Sequence, residues 1–598
     1  MLLESFKINF PDGIYAYDFE YRQPSGENPT VVCMVIKNLL NGRTYRISGK
    51  DLKKFPVPIT DDSLFIAHYA PAEINSMLSL GFKKPKFIFD THVESKKLYW
   101  GKQDGFAFGL VDCCARYGIK GVMSKEHKDD MRDLIIENDT YSTKQMRDII
   151  KYCEEDVLNL EQLFYKILED YEKEGADPAT VLTQSTFHGR AMGVCAQIET
   201  NGIPVNEELY NNFNKHFPII KNDIIVEANK TLNVFDENNK FKKDKFTDLI
   251  IKLGLDGSWP RSDKTKKFKE DKDTLRKFKN VPEIQLLRET LDFSKANNLK
   301  GYEVGSDGRS RTNLSMFGQI TGRTNVSTSR SPYSAPKFLR GFIQADKNKV
   351  LAEFDWAAQE AGIMAYLSKD QNMIKDFETG NLYLLCAIKN GAAPEGAIKA
   401  THPEIRNQYK VAVLGCGYGQ TAFGLKYALK IPVYEAETII QNIKKTYPDF
   451  FIWNEGVCLA ATSRGYFKTK YGWRYWIPKI YKPNTLKNWL MQSHGAEILR
   501  RAMIAVDEAG IEISMIMHDA LLVHVDRKGC AGKFKQVRQI MEQAAKDVLG
   551  AVIPVEIKII KKDYKLAEEP QKKWNRIMSI YNKSRCNEKL HLKNGGCR

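Results

Sequence analysis

Over the first 170 residues, short apolar runs alternate with amphipathic stretches. GIYAYDFEY, TVVCMVI, LFIAHYA and KFIFDTH read as strands, and TKQMRDIIKYCEEDVLNLEQLFYKILEDY carries the three-to-four-residue spacing of a helix. Strands interleaved with helices predict an α/β unit over 1–170. YEKEGADPATV, with Gly175 and Pro178, predicts a linker at 171–182. From 205 to 300 the pattern is helical, polar and rich in lysine, as in NNKFKKDKFTDLIIKLG. Each lysine alone reads as a solubilising helix face, and together they could track a phosphate backbone. Beyond 300, strand-like VLAEFD, IEISMIM and ALLVHV surround a mostly helical block at 369–488. Residues 566–598 are basic and poor in apolar positions, so a loosely ordered tail is expected there.

At 598 residues the chain is long for one domain, and length alone suggests roughly four units. Its 90 Lys+Arg against 74 Asp+Glu leave a net charge of +16, a surplus that favours polyanionic partners, nucleic acid before anionic membrane. No apolar run approaches the ~18 residues that span a bilayer, and MLLESFKINFPDG lacks a signal-peptide core. The eleven cysteines show no zinc-type Cys-x-x-Cys pair. Reduced thiols in a cytosolic compartment are expected.

In SMIMHDALLVHV, residues 514–525, two apolar runs flank an ionisable pair, His518-Asp519. A solvated hairpin tip explains the pair as it stands. A second carboxylate changes the picture: VLAEFDWAAQEAGIMAYLS reads as a strand ending at Asp355 and then a helix. Two aspartates from separate segments are what a two-metal site needs, because two divalent ions ~4 Å apart must be neutralised and held rigidly. In IRNQYKVAVLGCGYGQ, Arg406, Lys410, Leu414 and Tyr418 recur every four residues and form one stripe of a helix. Such a stripe could grip a triphosphate with its cations and offer Leu and Tyr to a sugar and base. An ordinary amphipathic helix, with Leu414 and Tyr418 in the core, fits the spacing equally well. Gly415, Gly417 and Gly419 suggest a helix end or close approach by another body.

Asp355 with Glu360, the Arg406/Lys410/Tyr418-Gly419 stripe and His518-Asp519, in this order, resemble the three polymerase motifs of the DNA polymerase I family, family A. Thr321-Gly322-Arg323, Arg340 in FLRGFIQA, Asn488 and Gln492 in NWLMQSHGAEI, and IETNGIPV at 198–205 extend the resemblance over 183–565. The resemblance implies a right hand, with the thumb at about 205–300, the palm at 301–368 and 489–565, and the fingers at 369–488. Asp355 and Asp519 would hold two Mg²⁺ ions, for which Mn²⁺ can substitute, while Lys410 and Arg406 would neutralise the incoming triphosphate. Leu414 and Tyr418 would line the nucleotide site. Glu360 with Tyr418 would reject the ribose 2′-hydroxyl. Arg323, Asn488 and Gln492 would read the minor groove at the primer terminus, Arg340 would contact DNA, and His518 would position the primer end. Primer–template DNA and dNTPs are the implied partners, a processivity factor is left open, and no membrane is expected.

Three positions depart from the family pattern. Ala520 stands where a Glu usually follows His-Asp, so a carboxylate near the metals is expected to be missing. Leu414 replaces the aromatic of the stripe, and Asn484 replaces an Arg. Some phage and prophage members share the Leu and Ala.

In the N-terminal unit, Asp18 and Glu20 lie two apart on a strand and face one side, which a solvated strand face also explains. Tyr152 and Asp156 lie i, i+4 on a helix. The set resembles the DEDDy 3′-to-5′ exonuclease domain, with the ribonuclease H-like fold, that precedes the polymerase in family A. Asp18, Glu20, Glu73 and Asp156 would bind two metals and Tyr152 would orient water. Glu73 in IAHYAPAEI stands where an Asp is usual, and Asp90 is the second choice for that acid. Because Asp18 lies so near the start, neither an upstream 5′-nuclease domain nor an organelle presequence is expected; a bacterial cell or phage-infected host is. A single-subunit RNA polymerase shares the carboxylates and the stripe, and a DNA-binding protein with a decayed site would fit Ala520 and Asn484. Glu360 and the exonuclease-like unit favour a DNA polymerase.

Overall fold

The computed structural model describes residues 1–594 except 123, 263–264, 279, 296–302, 328–330, 335–336, 561–563 and 565. The chain forms two compact units where length suggested about four. One comprises Met1–Ile203, Arg311–Ser327 and Asp346–Ile560, and the other Pro204–Ser310, Thr328–Ala345 and Lys561–Arg598.

The first unit holds two larger sheets and two short strand pairs. In the N-terminal sheet, β1 (Gly13–Arg22), β2 (Thr30–Asn38), β3 (Thr44–Ser48), β4 (Ser63–Ala67) and β5 (Phe87–Asp90) lie in the order β3-β2-β1-β4-β5. The β1–β2 and β2–β3 pairs are antiparallel, while β4 runs parallel to both β1 and β5. Helix α1 (Pro71–Ser79) connects β4 to β5, and α2 (Lys125–Glu137) and α3 (Thr143–Lys173) follow. A Ser142–Gln145 capping box starts α3, whose buried stripe Ile149, Cys153, Asp156, Val157, Leu160 and Leu163 faces the sheet. Of the linker expected at 171–182, four residues, 174–177, lie outside helices: α3 ends at Lys173 and a further helix begins at Pro178. Asp177 caps that helix and Pro178 occupies its first turn, so the Gly-Pro signal marked a helix start as well as a break.

The second sheet consists of β6 (Lys349–Trp356), β7 (Glu512–Met517), β8 (Ala520–Asp526) and β9 (Val555–Ile560), antiparallel in the order β7-β8-β6-β9. Between β6 and β7 lie α4 (Gln359–Ser368), α5 (Pro403–Gly417) and α6 (Pro483–Glu508), with further helices and the short hairpin Tyr466–Lys468/Arg474–Trp476.

In the second unit, the expected helical character of 205–300 appears as the helix Glu207–Leu232 and shorter helices after it; residues 296–300 of that stretch lie outside the described residues. The loosely ordered tail expected at 566–598 is instead a helix over Glu568–Asn594, with residues 595–598 outside the described residues. Ile577, Ile580 and Tyr581 are buried against Phe213, Phe217 and Phe342, with Trp574 packed alongside. Few apolar residues suffice when they share one helical face. Among the described residues no helix is long and apolar enough to cross a membrane.

Candidate active sites

Strand β6 buries Val350, Leu351 and Ala352 in succession and alternates only toward its end, where Phe354 and Trp356 are buried and Asp355 is the more exposed residue between them. Asp355 pairs in register with Ala520 of β8. Met517 pairs with Ala520, so His518 and Asp519 form a two-residue turn at the tip of the β7–β8 hairpin. This register sets Asp519 beside Asp355, which a one-residue slip would undo by turning one side chain to the other face. His518 has φ +52°, a left-handed conformation that costs a non-glycine residue on the order of 1 kcal/mol and recurs at functional turns. Partial burial at the strand end and the Asp519 charge push the Asp355 carboxyl up to about 7, with Lys410 opposing. Burial raises Asp519 too, while the charges of Arg323 and His518 hold it down and that of Glu360 adds to the rise. An acid pair that resists ionising together, built from hard oxygen donors, fits divalent cations.

The stripe on α5 runs along the margin of the core. Helix α5 buries Tyr409, Ala412, Val413, Cys416 and Gly417, and leaves Arg406 and Leu414 half-buried and Lys410 exposed on the other side. Arg406 lies over the Tyr383 ring, 5.5 Å from its centroid. Tyr418 caps the helix end, where its hydroxyl is shielded without a hydrogen-bond partner and the neighbouring Glu360 charge adds to the rise that burial causes in its pKa. Both readings of the glycines hold: α5 ends at Gly417, where an added Cβ would lie 2.5 Å from Met364 Cε, and Gly419 takes φ +78° beside Asn484.

Arg323 reaches Glu360 at 3.5 Å. Its loop is fixed by buried donors the sequence did not single out. Trp473 and Trp489 both donate Nε1 to the Ile320 carbonyl at 2.9 Å, and Arg500 donates to the Gly322 carbonyl at 2.6 Å. Gly322 takes φ +74° with Trp473 Nε1 3.0 Å from where a Cβ would stand, so this turn admits little else. Asn488 and Gln492 follow one another on a half-buried side of α6, with Asn488 Oδ1 buried and unpartnered. Arg340 lies in the other unit, where it donates to the Tyr333 carbonyl at 2.9 Å and covers that ring.

Ala520 leaves no carboxylate at the residue after His518-Asp519, as expected, but another acid stands near Asp355. Glu556 of β9 pairs in register with Asp355, so the row Ala520–Asp355–Glu556 crosses three strands on one face. The Glu556 charge contributes to the raised Asp355 pKa. Alternation in VEIKII marks Glu556 as sharing a face with Lys558, but nothing in the sequence fixes its register against β6.

In the N-terminal sheet, Asp18 and Glu20 project from one face of β1, with Tyr152 and Asp156 on α3 and Glu73 on α1. Burial and the Asp156 charge push Asp18 up to about 7. Burial, then the Asp18 charge, raises both Glu20 and Glu73 well above the carboxylate range. Glu73 is 5% exposed and its Oε2 has no hydrogen-bond partner, a buried polar atom waiting for a cation or donor. Asp90 is spent elsewhere: its carboxylate accepts from the main-chain nitrogens of Ala70 at 2.7 Å and Val93 at 3.1 Å, capping a helix. Cys153 Sγ joins Asp18 and Glu20 in a group whose ligand atoms lie within 4.8 Å of one another. Lys128 on α2, a lysine in a charged helix that gave no sequence signal, donates to both Asp156 oxygens at 2.7 Å.

These raised acids favour the protonated folded chain, so the stability contributed by Asp18 is complete below its ordinary pKa of 3.8 and is lost as pH rises through about 7. Without divalent ions, Asp18→Asn is expected to raise the melting temperature at about pH 8 and barely change it at about pH 4. Calorimetry at both pH values checks this; an equal shift at the two contradicts it.

The DNA polymerase family A model matches residues 205–565. DNA polymerase I of Rhizobium leguminosarum is 23% identical over 401 residues, 61% of this chain and 38% of that protein. The Mycobacterium leprae enzyme is 26% identical over 343 residues, 52% and 36% respectively. The thermostable DNA polymerase I of Thermus thermophilus is 25% identical over 273 residues, 42% and 32%. The chain thus spans about a third of the length of these curated relatives. A solved structure described as the POL domain of Pol1 from M. smegmatis in complex with DNA primer-template and dNTP shares the fold, with TM-score 0.68 at 19% identity over 94% of this chain and 97% of that one. With the family model matching more than half of its length, the chain belongs to DNA polymerase family A.

Proposed function

We propose that the chain extends a primer along a DNA template with deoxynucleoside triphosphates, and that the acids of its N-terminal sheet excise mispaired 3′ ends. The observation that carries the first activity is the register that sets Asp355 beside Asp519, with Lys410 close enough for its charge to act on Asp355. The named relatives are DNA polymerases, which supports the same reading. Divalent cations held by Asp355 and Asp519, Mg²⁺ on this reading, would supply charge neutralisation at the primer 3′-oxygen and the triphosphate. Arg406 and Lys410 grip the phosphates, and Lys410 is the candidate proton donor to the leaving pyrophosphate. Glu360 and Tyr418 close the space a 2′-hydroxyl would need. Arg323, Asn488 and Gln492 donate toward minor-groove acceptors, and His518 braces the primer end. Leu414 and Ala520 support a reading of the chain as a phage- or prophage-type member that works in a bacterial or infected cell.

Excision is supported by the Asp18/Glu20/Glu73/Asp156 cluster, its orphaned Glu73 Oε2, and Tyr152, whose phenol is pushed above its ordinary range by burial and then by the Glu20 charge. Glu73 is the third acid of this reading, since Asp90 is engaged in capping.

Incorporation of dNTPs against NTPs on one primed template tests the polymerase reading. Strong preference for dNTPs is expected, and Glu360→Ala should raise NTP use by about 10–100-fold, the scale of discrimination a shaped pocket provides. Preferential NTP use by the unaltered chain identifies an RNA polymerase instead.

A further inference from the structure

Both oxygens of Asp156 are engaged by one side chain, the Lys128 ammonium, each at 2.7 Å. The pair is shielded from solvent, with 17% and 10% of the two side chains exposed. Lys128 also lies over the Tyr152 ring, 5.6 Å from its centroid, and its charge reaches Asp18 and Glu20. It therefore stands inside the acid set. A carboxylate gripped on both oxygens has little left to offer a metal, and an ammonium this close repels a divalent ion. At the other end of the cluster, Glu73 Oε2 is buried with no hydrogen-bond partner. The cluster is neutralised at one end and open at the other.

We infer that Lys128 is a tethered counter-ion of the N-terminal acid cluster, holding Asp156 until a divalent cation displaces it. The inference rests on the metal-dependent excision proposed above. It implies two unequal steps of loading: a first ion enters at Asp18, Glu20 and Glu73, and a second binds only as Lys128 withdraws. Withdrawal is mechanically open. The lysine side chain is a point charge on a flexible four-carbon stem, and α2 buries Met131 and Ile135 as its anchors. Lys128 thereby sets the metal concentration at which the site becomes complete.

Mn²⁺ titration followed by electron paramagnetic resonance tests this without relying on activity. The full chain carries Asp355→Ala and Asp519→Ala, so that the other acid pair does not contribute. Two affinities are expected, and Lys128→Met should tighten the weaker by about fivefold, the upper end for an ion pair that is not fully buried. Lys128→Arg, which keeps the charge, should behave as the unaltered lysine. Unchanged or weaker Mn²⁺ binding in Lys128→Met overturns the inference while leaving excision in place. If adding Asp18→Ala leaves the titration unchanged, the cluster is not a metal site, and the excision reading falls with the inference.

Discussion

Asp355→Ala and Asp519→Ala each lower the rate of primer extension by about 10³-fold or more, the scale of lost electrostatic stabilisation at a charged transition state, and leave excision of a frayed 3′ end intact. Asp18→Ala does the reverse. The expectation follows from the placement of the acids. Asp355 and Asp519 meet because β6 and the β7–β8 hairpin pair in one register, whereas Asp18 belongs to a different sheet with its own acids. Asparagine at 355 or 519 keeps the shape and removes the charge, so Asp355→Asn should lose as much as alanine. Folding is checked by the melting curve, which should not fall, because each acid is held above its ordinary pKa and is a burden to the metal-free chain. Equal loss of extension and excision in any of these variants contradicts separate sites.

Lys410→Ala lowers the maximal extension rate by about 10²-fold, the typical effect of removing one preorganised charge or general acid. Its side chain is exposed and the helix is anchored through Tyr409, Ala412, Val413 and Cys416, so the substitution should cost little stability. Lys410→Arg keeps the charge but has no proton to give near neutral pH. It should restore dNTP affinity and leave the rate low. Single-turnover extension across dNTP concentrations separates the two effects; full recovery of rate with arginine means that Lys410 acts only as a charge.

The carboxylates, the stripe and the hairpin were legible in sequence because local pattern carries them. The reading of VLAEFD as a short strand put Asp355 at its end, two residues between apolar runs marked the His518-Asp519 turn, and four-residue spacing aligned Arg406 with Tyr418. Spacing alone left it undecided whether Leu414 and Tyr418 were core; the fully buried positions 409, 412, 413 and 416 lie on another face and leave both half-buried, with the Tyr418 hydroxyl shielded. What stayed hidden depends on contacts between distant segments. Glu556 needed the β6–β9 register, Lys128 needed the packing of α2 on α3, and Trp473, Trp489 and Arg500 act through main-chain carbonyls that no motif records. Polarity misled once: the terminal segment hides one apolar face in a mostly basic sequence, and it folds as a helix.

A primer labelled at its 5′ end and mispaired at its 3′ terminus, given template, dNTPs and Mg²⁺, probes the whole account in one lane. The expected product is full length, preceded by a transient species one nucleotide shorter than the starting primer. A primer that keeps its original length, while a matched primer also fails to grow, contradicts it.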